Sequence, residues 1–249
     1  MAFIDDRSVL TREVAAPEAS VSYGALPQHV ADVRFGDERA IHRPLVVIVH
    51  GGFWRPTIDR AHTGPMAVAL AKSGWTVAAI EYRRIPGQPD ATLEDVREAL
   101  VTLPERVAKH DGRVLVVGHS AGGHLTLWAA STRPTEKLVG ALALGPAADL
   151  RLAQQRNLGD GAALAFLGVD AEQRADIDPR QMPSPQIKTT IVHGLHDEIV
   201  PIALAESYVE AHPQARLLRL GNAGHFAVID PRSHEWPAVR RELEQLLSA

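Results

Sequence analysis

Short, strongly β-branched apolar runs alternate with longer amphipathic stretches, and this alternation constrains the fold more than any other property of the chain. Leu45-Val46-Val47-Ile48-Val49 is apolar throughout, as expected of a strand buried on both faces. Similar runs occur at Thr76–Ile80, Val114–Val117, Leu138–Leu144, Thr189–Val192 and Arg216–Leu220. Between them, helical periodicity predicts helices over Arg60–Lys72, Thr92–Ala108, Ala121–Ser131, Ile202–Ala211 and His234–Leu247, with Thr92 as an N-cap and Gly74 as a stop. Strand, helix, strand, repeated in this way, predicts an α/β chain with a mostly parallel central sheet flanked by helices. Ligands of such sheets bind at the carboxyl ends of the strands, so functional residues should follow the apolar runs directly.

A chain of 249 residues is long enough for one domain with a sizeable core. No boundary justifies a second unit, so residues 1–249 are read as a single domain. The irregular region is about 147–187, with Gly159-Asp160-Gly161, a segment from Asp178 to Pro185, and short helical patterns at Leu150–Gln155 and Ala162–Leu167. It reads as a small cap or lid over the site, a long connection being the alternative. The net charge of -4 gives no reason to expect nucleic acid or an anionic membrane as partner. The absence of cysteine excludes a thiolate nucleophile, a disulfide framework and cysteine-ligated metal. No stretch approaches the ~20 apolar residues of a membrane span, and the acidic start does not read as a secretory signal. A cytoplasmic protein is expected, and its final helix could pack on the core or make a homodimer contact.

Directly after Val114–Val117 stands Gly118-His119-Ser120-Ala121-Gly122-Gly123, leading into the apolar stretch Leu125-Thr126-Leu127-Trp128. Gly-x-Ser-x-Gly between a buried strand and a helix is the context in which a nucleophilic serine is lifted out of a sheet on a sharp turn. The Ala121 N–H then lies at a helix N-terminus, facing any negative charge that develops. His50-Gly51-Gly52-Phe53-Trp54 likewise follows a buried strand. Its Gly52 and Phe53 N–H groups are the candidate partners of Ala121 in an oxyanion hole. Phosphate binding is disfavoured, since no Gly-Lys-Ser/Thr follows.

A serine hydroxyl needs a base, and the base needs an acid to orient it. His225 follows Leu217–Leu220 on a glycine-rich loop, and Asp197 follows Thr189–Val192 in the same way. The order Ser120, Asp197, His225 is the one this arrangement requires. Glu198 adjoins Asp197 but should point elsewhere in the loop. His193 and His196 lie too close to Asp197 in sequence to be preferred bases, and His234 opens the final helix. His50 and His119 more plausibly position their glycine loops than bind metal. No metal or other cofactor is expected, since no helical His-x-x-x-His or cysteine set accompanies these residues.

With these residues in place, the chain resembles α/β-hydrolases of the carboxylesterase and kynurenine formamidase (arylformamidase) branch, from about His42 to the end. The His-Gly-Gly-Phe-Trp loop leans toward formamidases. Glu81-Tyr82-Arg83-Arg84 is similar to the Asp-Tyr-Arg segment that buttresses the oxyanion loop in hormone-sensitive-lipase-like esterases, although Phe53 replaces the third glycine of that group. The resemblance implies the α/β-hydrolase fold and acyl transfer to water, with a small-molecule ester or amide as substrate. Trp54, Phe166 and Phe226 are candidates for lining an aromatic-friendly pocket, core packing being the alternative for Trp54 and Phe166. A small-acyl carboxylesterase is the first expectation and an arylformamidase the second. A peptidase of the prolyl-oligopeptidase type would normally carry an added β domain for which this chain has no room, and a binding protein on the same scaffold would typically lack a triad member.

Overall fold

The computed structural model describes residues 5–247. Strands β1 (Ala19–Ser22), β2 (Val30–Arg34) and β3 (Leu45–Val49) come first, followed by α1 (Gly64–Lys72), β4 (Val77–Ile80) and α2 (Pro89–Arg106). The chain continues through β5 (Val114–His119), α3 (Ala121–Thr132), β6 (Leu138–Leu144), α4 (Leu150–Gln155) and α5 (Leu158–Leu167). It ends with β7 (Lys188–Gly194), α6 (Ala203–Ala211), β8 (Arg216–Leu220) and α7 (Trp236–Gln245). The strands form one eight-stranded sheet in the order β1-β2-β4-β3-β5-β6-β7-β8. All neighbours from β4 to β8 are parallel, while β1–β2 and β2–β4 are antiparallel.

Every residue of β3, β4 and β5 is buried, which explains why their sequences are apolar without alternation. The pleat still divides the core in two. Leu45, Val47, Val49, Val114 and Val116 share a cluster with Val96 and Leu100 of α2 and with Leu125 and Trp128 of α3. Val46, Ile48, Leu115 and Val117 pack with Met66 and Leu70 of α1 and with Trp236, Val239 and Leu243 of α7. The apolar face of α7 is therefore taken by the sheet. Among the described residues, no helix is long and apolar enough to cross a membrane.

The departures from expectation have local causes. No apolar run announces β1 or β2, because β1 (Ala-Ser-Val-Ser) is only half-buried on alternate residues and β2 carries Asp32 and Arg34. The first helix is shortened, residues 60–63 forming a tight 3-10 turn that precedes Gly64-Pro65. The second helix starts at Pro89, where a missing N–H costs nothing. Thr92 is consequently no cap; it is buried, and its hydroxyl donates to the Arg83 carbonyl (2.6 Å).

The 147–187 segment joins the main core. Leu150, Ala153, Ala163, Phe166, Leu167, Ile177 and Met182 pack in the same cluster as α2 and α3. Within α5, Gly159, Asp160 and Gly161 have φ of 57°, 54° and 79°, so regular helix forms only after them. Asp178 ties this segment down: it is fully buried (0 % exposed), and Oδ1 accepts from the N–H groups of Leu150 (3.1 Å) and Arg180 (3.3 Å). Its Oδ2 has no partner. Burial, reinforced by Asp149, pushes its carboxyl up from 3.8 to about 6. The folded state thus holds this proton more tightly than the unfolded chain, and stability falls as pH rises from 3.8 through about 6. Asp178→Asn should remove that loss. Thermal melts should therefore show the variant gaining on the parent between pH 4 and pH 8.

Candidate active site

The turn between β5 and α3 places Ser120 at φ 57°, ψ -116°, an unfavourable backbone for a residue with a Cβ. The Ser120 N–H donates to the Leu144 carbonyl (2.9 Å), and the Ser120 carbonyl accepts from His124 (3.1 Å) and Ala147 (3.2 Å). Strain of this kind persists only where the surroundings over-determine it. Gly122 is part of that determination, since a Cβ there would lie 2.0 Å from the Val49 carbonyl oxygen. The helix start can therefore press onto the end of β3 only without a side chain at this position.

The loop after β3 packs against the same turn. A Cβ on Gly51 would stand 2.8 Å from the His119 carbonyl oxygen and 3.0 Å from Ser120 Cβ. Phe53 and Trp54 both have positive φ, 53° and 54°, which folds the loop back toward Ser120. Among the described residues, no backbone acceptor engages the N–H groups of Gly52, Phe53 or Ala121. The loop is braced from below. Tyr82 stacks on His50 with ring centroids 4.4 Å apart, and its hydroxyl donates to the His50 carbonyl (2.8 Å). His50 donates from Nδ1 to the Gly51 carbonyl (2.7 Å), while its Nε2 lies 3.2 Å from Glu81 Oε1. Burial would raise Glu81, but His50, the Arg84 guanidinium and the Tyr82 N–H together hold its carboxyl down at about 2. The Glu81-Tyr82-Arg83-Arg84 segment thus supports the His50–Trp54 loop.

Asp197 and His225 lie on the loops after β7 and β8 and meet at the sheet edge. His225 donates from Nδ1 to Asp197 Oδ2 (2.6 Å). Asp197 Oδ1 accepts from the Ile199 (3.0 Å) and Val200 (2.7 Å) N–H groups, and His193 Nε2 stands 3.4 Å from Oδ2. Burial alone would raise the Asp197 carboxyl; His193 and His225 hold it well below the usual carboxylate range. His225 is also gripped through its backbone. His119 donates from Nε2 to the His225 carbonyl (2.9 Å), and burial keeps the His119 imidazole well below its ordinary pKa, hence neutral. The His225 N–H donates to Asp5 (2.9 Å). No hydrogen bond joins Ser120 Oγ to His225 in this structure; the two side chains line one cleft of about 430 Å³, an open relation common before substrate is bound.

That cleft is lined by Gly52, Phe53, Ser120, His225 and Phe226 among others. Trp54 and Phe166 do not line it. They stack on each other (4.8 Å between centroids, 12° between planes), and both are buried in the core. Trp54 Nε1 has no hydrogen-bond partner. No residue of 147–187 lines the cleft either; the segment touches it only indirectly, Gly159 packing on the Phe53 ring and accepting from Arg55 (2.7 Å). Arg7, Leu10, Ile58 and His62 also line the cleft. Sequence reasoning missed these, because neither an isolated arginine near the amino end nor a loop isoleucine carries a periodic or motif signal.

The family model described as BD-FAE matches residues 31–149. Kynurenine formamidase of Salmo salar is 32% identical over 122 residues, covering 49% of this chain and 41% of that protein. Esterase LipC of Mycobacterium tuberculosis is 29% identical over 243 residues, covering 84% of this chain and 60% of that protein. The chain thus spans about two-fifths of the length of the formamidase it matches. Among solved structures, a truncated carbohydrate esterase from gut microbiota superposes with a TM-score of 0.77 at 18% identity, over 94% of this chain and 100% of the other. The sheet order, the strained serine turn and the superposition agree on the α/β-hydrolase fold, and in sequence the chain is similar to kynurenine formamidase and to a mycobacterial esterase.

Proposed function

We propose that the protein is a serine hydrolase that cleaves small carboxylic esters through an acyl-enzyme. The observation that carries this reading is the Asp197–His225 hydrogen bond of 2.6 Å, which leaves His225 Nε2 free at the cleft where Ser120 sits on its strained turn. With Nδ1–H committed to Asp197, Nε2 carries a lone pair and can act as base. It takes the Ser120 proton as Oγ attacks the acyl carbon. The carbonyl oxygen gains negative charge, and the N–H groups of Gly52, Phe53 and Ala121 are the donors positioned to receive it. His225 then gives its proton to the leaving group, the acyl group remaining on Ser120. A water molecule, deprotonated by His225, attacks the acyl carbon and releases the acid and the free serine.

A second reading, arylformamidase, is favoured by the formamidase likeness together with Phe53 and Phe226 on the cleft wall. Formyl is the smallest acyl group, and a cleft flanked by two phenyl rings suits an aryl leaving group. A panel of p-nitrophenyl esters of rising chain length, with N-formylkynurenine included, separates the two. An esterase should be fastest on acetate or butyrate and slow on the formamide; a formamidase should show the reverse order. In either case Ser120→Ala should lower kcat by about 10⁴ or more. Near-native turnover by that variant would remove Ser120 from the mechanism.

A further inference from the structure

Residues 5–12 cross the His225 loop as a strap fastened at both ends. At one end Asp5 accepts from the His225 N–H (2.9 Å) and stands 3.4 Å from the Phe226 nitrogen. At the other, Arg12 grips Asp230 through two hydrogen bonds of 2.5 and 2.8 Å. Between them Val9 is sunk in the core (1 % exposed). The strap's backbone is thus held at three points, and its exposed Arg7 and half-buried Leu10 line the cleft that contains Ser120 and His225. The Arg7 guanidinium sits 5.6 Å from the centre of the Phe226 ring.

The other charged or titratable groups on the cleft wall are differently engaged. Arg55 donates to the Gly159 carbonyl (2.7 Å) and stands 3.9 Å from Asp160. Asp59 accepts from the Ala61 N–H (2.9 Å) to cap the following turn. Burial, with His50 nearby, holds His62 down at about 4, so it is neutral at pH 7. No carboxylate among the described residues forms an ion pair with Arg7. Its planar fork of donors is therefore available to a carboxylate from outside. The side of the scissile bond follows from the chemistry: His225 must reach the leaving atom to protonate it, and the Phe226 ring over which Arg7 lies is 5.1 Å from the His225 ring, whereas Gly52 and Phe53 are the proposed oxyanion donors.

We propose that Arg7 is a specificity-determining residue, selecting substrates whose aromatic leaving group carries a carboxylate. This rests on the hydrolase reading of Ser120 and His225. The test compares 3- and 4-acetoxybenzoate with the corresponding acetoxybenzamides, which share acyl group, ring and size but lack the charge. For at least one isomer, the native enzyme should favour the carboxylate about tenfold in kcat/KM, the effect of a charge-assisted hydrogen bond. Arg7→Gln should bring that ratio close to one, and Arg7→Lys should keep part of it. No preference in the native enzyme for either isomer, or an equal fall with both partners of a pair in Arg7→Gln, would overturn the proposal. Calorimetric binding of the products, hydroxybenzoate against hydroxybenzamide, reads the same preference without turnover. Failure to hydrolyse any of the four esters would count against Ser120 chemistry, while the binding ratio in native protein and Arg7→Gln would still decide the role of Arg7.

Discussion

The rest of the site depends on one close approach, where the start of α3 is pressed against the end of β3. At Gly122 the backbone comes so near the Val49 carbonyl that a Cβ would stand 2.0 Å from its oxygen. That contact holds Ser120 at φ 57°, since the turn has nowhere to relax. It also brings the His50–Trp54 loop beside the serine, so that the proposed oxyanion donors of Gly52, Phe53 and Ala121 are all backbone groups and no long side chain has to be ordered. Groups placed by backbone packing lose little entropy when substrate arrives, which is the advantage of preorganisation.

The second constraint is the layered grip on His225. Its ring is held by Asp197, its carbonyl by His119 and its N–H by Asp5. Two of these holders are themselves buried, and their charge states are set by burial and neighbours: His119 is kept neutral, and Asp197 is kept ionised. A neutral His119 beside His225 avoids placing a second positive charge against the imidazolium that acyl transfer would create. An ionised Asp197 supplies the compensating negative charge. The two shifts, opposite in their effect on charge, accompany a His225 that is paired on Nδ1 and open on Nε2.

Much of this was legible from the residues alone, for a physical reason. Buried parallel strands must be apolar on both faces, so β3, β4, β5 and β6 could be located within a residue or two, and a residue following such a run lies at the ligand-binding edge. That logic identified Ser120, Asp197 and His225 as neighbours, and the structure brings Asp197 and His225 into contact and sets His225 at the cleft of Ser120. What escaped depends on tertiary packing. Strands β1 and β2 are short and polar because the sheet edge they form is half open. Trp54 and Phe166 satisfy each other in the core, a pairing that no spacing along the chain reveals. The 147–187 segment has the irregular composition of a lid, yet its apolar residues pack with α2 and α3, and the cleft wall includes instead Arg7, Leu10 and residues of the 52–62 loop.

The most direct test of the central claim is covalent. A fluorophosphonate reacts with a serine only when a neighbouring base and oxyanion donors activate it, so adduct formation reports the whole assembly rather than the hydroxyl alone. Intact protein treated with such a reagent, digested and mapped by mass spectrometry, should carry one phosphonyl group on the peptide containing Ser120, and His225→Ala should suppress its formation. An unlabelled folded protein, or an adduct on a different residue, would contradict the assignment of Ser120 as the nucleophile.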